Sequence, residues 1–178
     1  MRNVILAAAL SLVAGLASAA EPVDPVREVM DITVSNWGSA ESEWRYIFDA
    51  EPLQRLFSQR FRAAYVEASK KPAYETDDGG PGDPFGYDVV TASQDGCPLE
   101  DVAIDAAGGE ENGVTTVKVR FKLWRCLDQA ELKDSTDEVH FDVVAENGGY
   151  VIDDIHRVSP DNRDSVVEEM KQLALGTD

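Results

Sequence analysis

The chain has 178 residues, with 34 acidic side chains against 16 basic ones and a formal net charge of −18. That balance argues against nucleic acid and anionic membrane surfaces as partners, since both are engaged through basic patches. It suits a basic partner, and it suits plain solubility as well.

The first predicted element is an export signal. Arg2 gives a short positive start, Val4 to Leu16 carries no charge, and Ala17-Ser18-Ala19 is a small-x-small cleavage pattern. The apolar core is too short and alanine-rich for a good membrane span. Glu21, Pro22 and Asp24 follow in place of a basic flank, so no membrane anchor is expected. The expectation is therefore cleavage near Ala19/Ala20, with residues 1–19 as signal peptide and 20–178 as a single periplasmic or secreted domain. Losing Arg2 and no acid takes the net charge from −18 to −19.

Helical spacing of Val26, Val29, Met30, Thr33, Val34 and Trp37 predicts a helix, with Pro25 in its first turn. A second, long helix is expected from Pro52 to Lys71, burying Leu53, Leu56, Phe57, Phe61, Ala64, Tyr65 and Ala68, with Pro72 stopping it. Thr76 to Asp83 reads as a loop. Beyond it the period changes to two: Val102 and Ile104, then Val117, Val119, Phe121 and Leu123, then Val139, Phe141 and Val143. A turn at Glu146-Asn147-Gly148-Gly149 leads into a strand from Tyr150 to Val158. The final helix carries Val166, Val167, Met170, Leu173 and Ala174, opened by a Ser165/Glu168 capping box and closed by Gly176. Helices followed by antiparallel strands imply an α+β domain.

Folding back about the Gly108–Gly113 turn brings Cys97 to within a residue or two of Cys126, so these two cysteines are expected to form a disulfide. In the chain-entropy account a loop of this length contributes roughly 3.5 kcal/mol. No CxxC motif suggests a redox role. Pairing Phe121 with Phe141 on the inner face of the sheet puts Arg120 opposite Asp142 and Lys122 opposite His140 on the outer face. In the last strand Ile155 is out of phase with Tyr150 and Ile152. A bulge at Asp153-Asp154 would return it to the core opposite Phe141 and gather Asp142, Asp153 and Asp154 near Arg120.

Four short motifs, Leu53-Gln54-Arg55-Leu56-Phe57-Ser58, Asp83-Pro84-Phe85, Ser93-Gln94-Asp95 and Gly149-Tyr150-Val151-Ile152-Asp153-Asp154-Ile155, resemble an exported bacterial family of unknown function. The resemblance implies the cystatin-like, nuclear-transport-factor-two-like fold, a cone of bent antiparallel sheet wrapped on helices, over about Pro25 to Leu175. It implies no reaction and no catalytic residues. Tyr150 stands where the family commonly has Trp.

Three function classes follow. The leading one is a non-catalytic exported binding or interaction module. Its ligand is a small molecule held in an apolar mouth ringed by Tyr74, Phe85, Tyr87 and Trp124, and the tentative ligand-binding residues are Tyr87, Arg120, Asp142, Asp153, Asp154 and His156. A second class is an acidic inhibitor or immunity-type protein covering a basic partner through a flat face with exposed aromatics such as Trp44. A third is a small acid-base enzyme using a His156/Asp154 pair, joined by Tyr87 and Asp88. The Asp77, Asp78 and Asp83 loop lacks the ligand order of a calcium loop, and no His pair has zinc spacing, so no metal is expected. No phosphate loop, dinucleotide fingerprint or nucleophile elbow occurs, so no cofactor is expected either. The sheet offers a surface for a homodimer.

Overall fold

The computed structural model describes residues 20–38, 43–77, 79–106 and 109–176. The expected export signal, residues 1–19, lies outside them, as do Asp78 and Gly108. Among the described residues no helix is long and apolar enough to cross a membrane.

Helix α1 (Asp24–Asn36) begins with Pro25 in its first turn and buries Val26, Val29, Met30 and Ile32. Val34, expected on the buried stripe, is exposed instead, and Ile32 takes its place. Thr33 is buried with its hydroxyl returned to the Val29 carbonyl, which satisfies a polar group in an apolar stripe.

The long helix expected from Pro52 is two helices, α2 (Ala50–Leu56) and α3 (Gln59–Ala68). The break has a local cause. Phe57 is extended (φ −117°, ψ 146°), and Ser58 becomes the N-cap of α3, its hydroxyl accepting from the Phe61 amide. The Ser58 amide donates to the Ile152 carbonyl, so the chain leaves helix for one bridge to the sheet. Helical periodicity alone does not register this, because Phe57 and Phe61 stay buried on both sides of the break.

Strands β1 (Glu100–Asp105), β2 (Val114–Lys122), β3 (Asp137–Glu146), β4 (Gly149–Ser159) and β5 (Asn162–Arg163) form one antiparallel meander in sequence order. The molecule is therefore α+β. A single turn of helix, α4 (Ala130–Lys133), lies between β2 and β3, and α5 (Val166–Leu175) closes the chain. Asn147 and Gly148 both have positive φ, as a two-residue type I′ hairpin requires, and Asn112 and Gly113 repeat the device. Ser165 caps α5 by accepting from the Glu168 amide, and Gly176 ends it in the left-handed conformation, as expected.

Cys97 and Cys126 are bonded, with Cα atoms 5.7 Å apart. The β1–β2 hairpin brings them together, the Cys97 amide donating to the Leu123 carbonyl. The expected bulge is present too. Asp142 pairs with Asp154 but Val143 with Ile152, leaving Asp153 as the extra residue, and Ile155 faces Phe141.

The β2–β3 register differs from expectation. Val117, not Phe121, faces Phe141; Phe121 faces Asp137 and Arg120 faces Glu138. Asp142 faces Thr116, and His140 faces Lys118. Side-chain alternation survives any even shift, so the inner face is as expected while its cross-strand partners are not. One apolar core joins Val117, Val119 and Phe121, Val139, Phe141 and Val143, and Ile152 and Ile155 to α1, α3 and α5. Each buried Phe, Ile or Val of this kind contributes about 1.5–3 kcal/mol.

Candidate functional site

Two places on this framework gather polar chemistry. The first is the bulge on β4. Asp153 accepts from the Ser58 hydroxyl (2.5 Å) and from Arg60 Nε (2.9 Å). Asp154, 6 % exposed, accepts from the Ile155 and Val167 amides (2.8 and 3.1 Å) and from the Ser165 hydroxyl (2.6 Å). It thereby fixes the first turn of α5 to the sheet.

His156 donates through Nε2 to Asp142 (2.9 Å) and through Nδ1 to the Asp164 carbonyl. Asp142 also accepts from Thr116 (2.8 Å) and Arg163 (3.1 Å). Burial opposes both charges, but it is outweighed: the His156 and Thr116 bonds hold the Asp142 carboxyl well below the usual range. Likewise burial works against the imidazolium, yet the bonds to Asp142 and Asp164 hold His156 above its ordinary value.

With both ring nitrogens donating to oxygen acceptors, the imidazole has no lone pair with which to take a proton. The residue bonded to His156 is Asp142; Asp154 lies 4.0 Å away with its oxygens committed to α5. Four expected site residues, Asp142, Asp153, Asp154 and His156, do come together here. Arg120 is not among them, since the altered register sends it to Glu138, and Arg60 and Arg163 supply the positive charge in its place. The arrangement is a closed set of donors and acceptors that ties α3, the sheet and α5 to one another.

Tyr87, also expected with this group, lies elsewhere, bonded to Glu169 and accepting from Arg157, whose guanidinium lies over its ring 5.4 Å from the centroid. Asp88, expected to join it at His156, accepts from Trp37 Nε1 (3.0 Å) and from the amides of Val90 and Thr91.

The second place is a cleft of about 840 Å³ between the end of α1, the segment Trp44–Asp49, Tyr65 of α3 and the segment Pro81–Gln94. Tyr74, Phe85 and Tyr87 line it as expected of an apolar mouth, whereas Trp124 does not. Phe48 is its apolar centre, with ring centroids 4.8 Å from Tyr65 and 5.8 Å from Phe85. Trp44 and Tyr46 meet edge to face at 6.1 Å, both about half exposed at 48 % and 53 %.

Polar groups enter at set points. Asp83 gives one oxygen to the Phe85 amide (3.0 Å). Burial and then the nearby Asp88 charge push its carboxyl above the ordinary value. Burial, Asp83 and Asp49 together raise the Tyr65 hydroxyl to about 12, and all three residues line the cleft. Asp49 precedes α2 without capping it through its side chain. The segment is anchored by Asn36, which exchanges two hydrogen bonds with the Arg45 backbone (2.7 and 3.0 Å).

Comparison with known proteins gives no match: no family model, no curated protein and no solved structure shows significant similarity to this chain. The cleft residues that sequence reasoning passed over are Trp37, Arg45, Tyr46, Phe48, Asp49 and Tyr65 as wall rather than core. The one available signal was the density of aromatics from Trp37 to Phe48, where Trp44, Tyr46 and Phe48 alternate over only five residues. Among the described residues no group of His, Cys, Asp and Glu is arranged to hold a metal ion.

Proposed function

We propose that this chain is an exported, non-catalytic binding module that holds a small molecule in the aromatic cleft. The observation that carries the reading is the cleft itself: about 840 Å³, concave, walled by aromatic rings and entered by a few placed polar groups. Small-molecule sites have this size and make-up. The polar cluster on β4 lends itself less well to the role, because its donors and acceptors are already matched to one another.

The wider reading keeps the resemblance to the exported cystatin-like, nuclear-transport-factor-two-like family as a proposal. An α+β meander with helices against one face agrees with it. The disulfide fits an oxidising compartment, in keeping with the expected export signal. An inhibitor of a basic protein would use a flat acidic face. Trp44, the aromatic named for such a face, instead stands on the wall of a concavity.

The test is an NMR titration of the oxidised protein with a panel of small amines, carboxylates, sugars and neutral aromatics. The expected result is that at least one class shifts the amides of 44–49 and 81–89 with saturating, submillimolar affinity. Shifts confined to other faces, or none from any class, would refute the reading.

A further inference from the structure

The charge of the cleft narrows its ligand. Three carboxylates, Asp49, Asp83 and Asp88, line it against a single guanidinium, Arg45. Among the described residues none of the three is in an ion pair, whereas the acids of the β4 cluster, Asp142, Asp153 and Asp154, each meet an arginine or a histidine. Asp88 is held as a wall element by Trp37 and two backbone amides, neutral donors that leave its charge uncompensated. Asp83 is only part-exposed and has one neutral amide as partner. A surface this acidic is ordinary in this chain. Acid set among aromatic rings in a concavity is not.

The rings supply the complement. Trp44 and Tyr46 stand at 65° to one another with half their area open, and Tyr74, another ring that lines the cleft, is 66 % exposed. Aromatic faces carry the negative side of the ring quadrupole and attract cations placed over them. A neutral apolar occupant would strip water from Asp49 and Asp83 with nothing in return, and an anion would be repelled.

Building on the cleft as binding site, we infer that its ligand is a small organic cation, an alkylammonium or quaternary ammonium, seated among Trp44, Tyr46 and Tyr74 with Asp49 and Asp83 as counter-charges. The apolar limb of such a ligand extends toward Phe48 and Phe85.

The test compares choline with dimethylbutanol, its neutral carbon isostere, by NMR titration of the oxidised full chain. Choline should shift the amides of 44–49 and 81–89 and bind at least about tenfold more tightly than the isostere, an interval equal to 1.4 kcal/mol. Asp83→Asn keeps an acceptor for the Phe85 amide, so it should leave the fold intact and weaken choline about tenfold without weakening the isostere. Trp44→Leu, a change at an exposed ring, should weaken choline more than the isostere. Equal binding of isostere and choline would overturn the inference and leave the binding module standing. A neutral, sugar or carboxylate class that binds where no amine does would have the same effect. Silence from every class would remove both. A lysine-rich peptide that outbinds choline by more than about tenfold would overturn the small-ligand assignment in favour of a basic protein partner.

Discussion

Asp154→Ala should be among the most damaging single changes at a polar position in this chain. The residue is 6 % exposed, and its carboxylate accepts from the Ile155 amide, the Val167 amide and the Ser165 hydroxyl. Hydrogen bonds to a charged acceptor contribute about 1.5–3 kcal/mol each, and deleting the acceptor leaves buried donors unsatisfied. Relief of the carboxylate's own burial offsets part of this, so the net loss should be about 3 kcal/mol. Asp154→Asn keeps an oxygen for the two amides and should cost about 1 kcal/mol. Asp153→Ala removes a side chain bonded to Ser58 and to the half-exposed Arg60, and should likewise cost about 1 kcal/mol. Urea unfolding followed by tryptophan fluorescence gives the three values, with an unchanged m-value as the check on comparability. Hydrogen exchange at the Val167 amide should accelerate in Asp154→Ala before global unfolding does. An Asp154→Ala loss below about 1 kcal/mol, or one equal to that of Asp153→Ala, would refute the anchoring role assigned to this residue.

The His156–Asp142 pair should shape the pH dependence of stability. His156 is raised above its ordinary 6.5, so its contribution is complete below that value and is lost as pH rises through the raised one. Asp142 is lowered from 3.8, so its contribution is complete above 3.8 and is lost as pH falls toward the lowered value. The stability difference between the native chain and Asp142→Asn, measured by urea midpoint, should therefore peak between 3.8 and 6.5 and shrink on both sides; a flat difference would contradict the pairing. Gly96→Ala should cost about 1–3 kcal/mol, since overpacking forces neighbours to move. Its new Cβ would meet Leu123 Cδ1 at 2.6 Å and Trp37 Cζ3 at 2.8 Å. The same variant should alter tryptophan emission because Trp37 also lines the cleft; a neutral stability change would mean that this corner is looser than described.

Period-two alternation made the sheet legible, and the fault at Ile155 was enough to locate the bulge, because one extra residue inverts every side chain beyond it. The turn at Asn147-Gly148 and the cap at Ser165 were legible for the same reason: each demands a particular residue at a particular φ or donor. The β2–β3 register was not. A stretch containing α4, rather than a tight turn, joins those strands, so no turn geometry pins the pairing, and matching phenylalanines was a guide with no force behind it. The partnership of Arg120 with Asp142 fell with that register. The break at Ser58 was hidden because its partner, the Ile152 carbonyl, is remote in sequence. The cleft was legible in three of its aromatics. The acids that give it character lie in aperiodic stretches, where neighbours are set by packing and by single hydrogen bonds such as Trp37 to Asp88.

The wall of the cleft from Pro72 to Gln94 is delimited in a way that bears on how such a protein diversifies. Its described residues form no helix or strand, and the framework holds it at one point within and at another just beyond it. The Gly82 amide reaches Ser69 at the end of α3, and the Cys97–Cys126 bond fixes the exit beside β2. Phe85, Val89 and Val90 of this segment lie in the core and Tyr87 is tied to Arg157 and Glu169, so recognition is free to drift at its more exposed positions while these four keep the fold. A graft that exchanges the exposed positions and keeps Phe85, Tyr87, Val89 and Val90 should thus yield a folded protein with a new ligand preference, making the chain a natural template for engineered receptors.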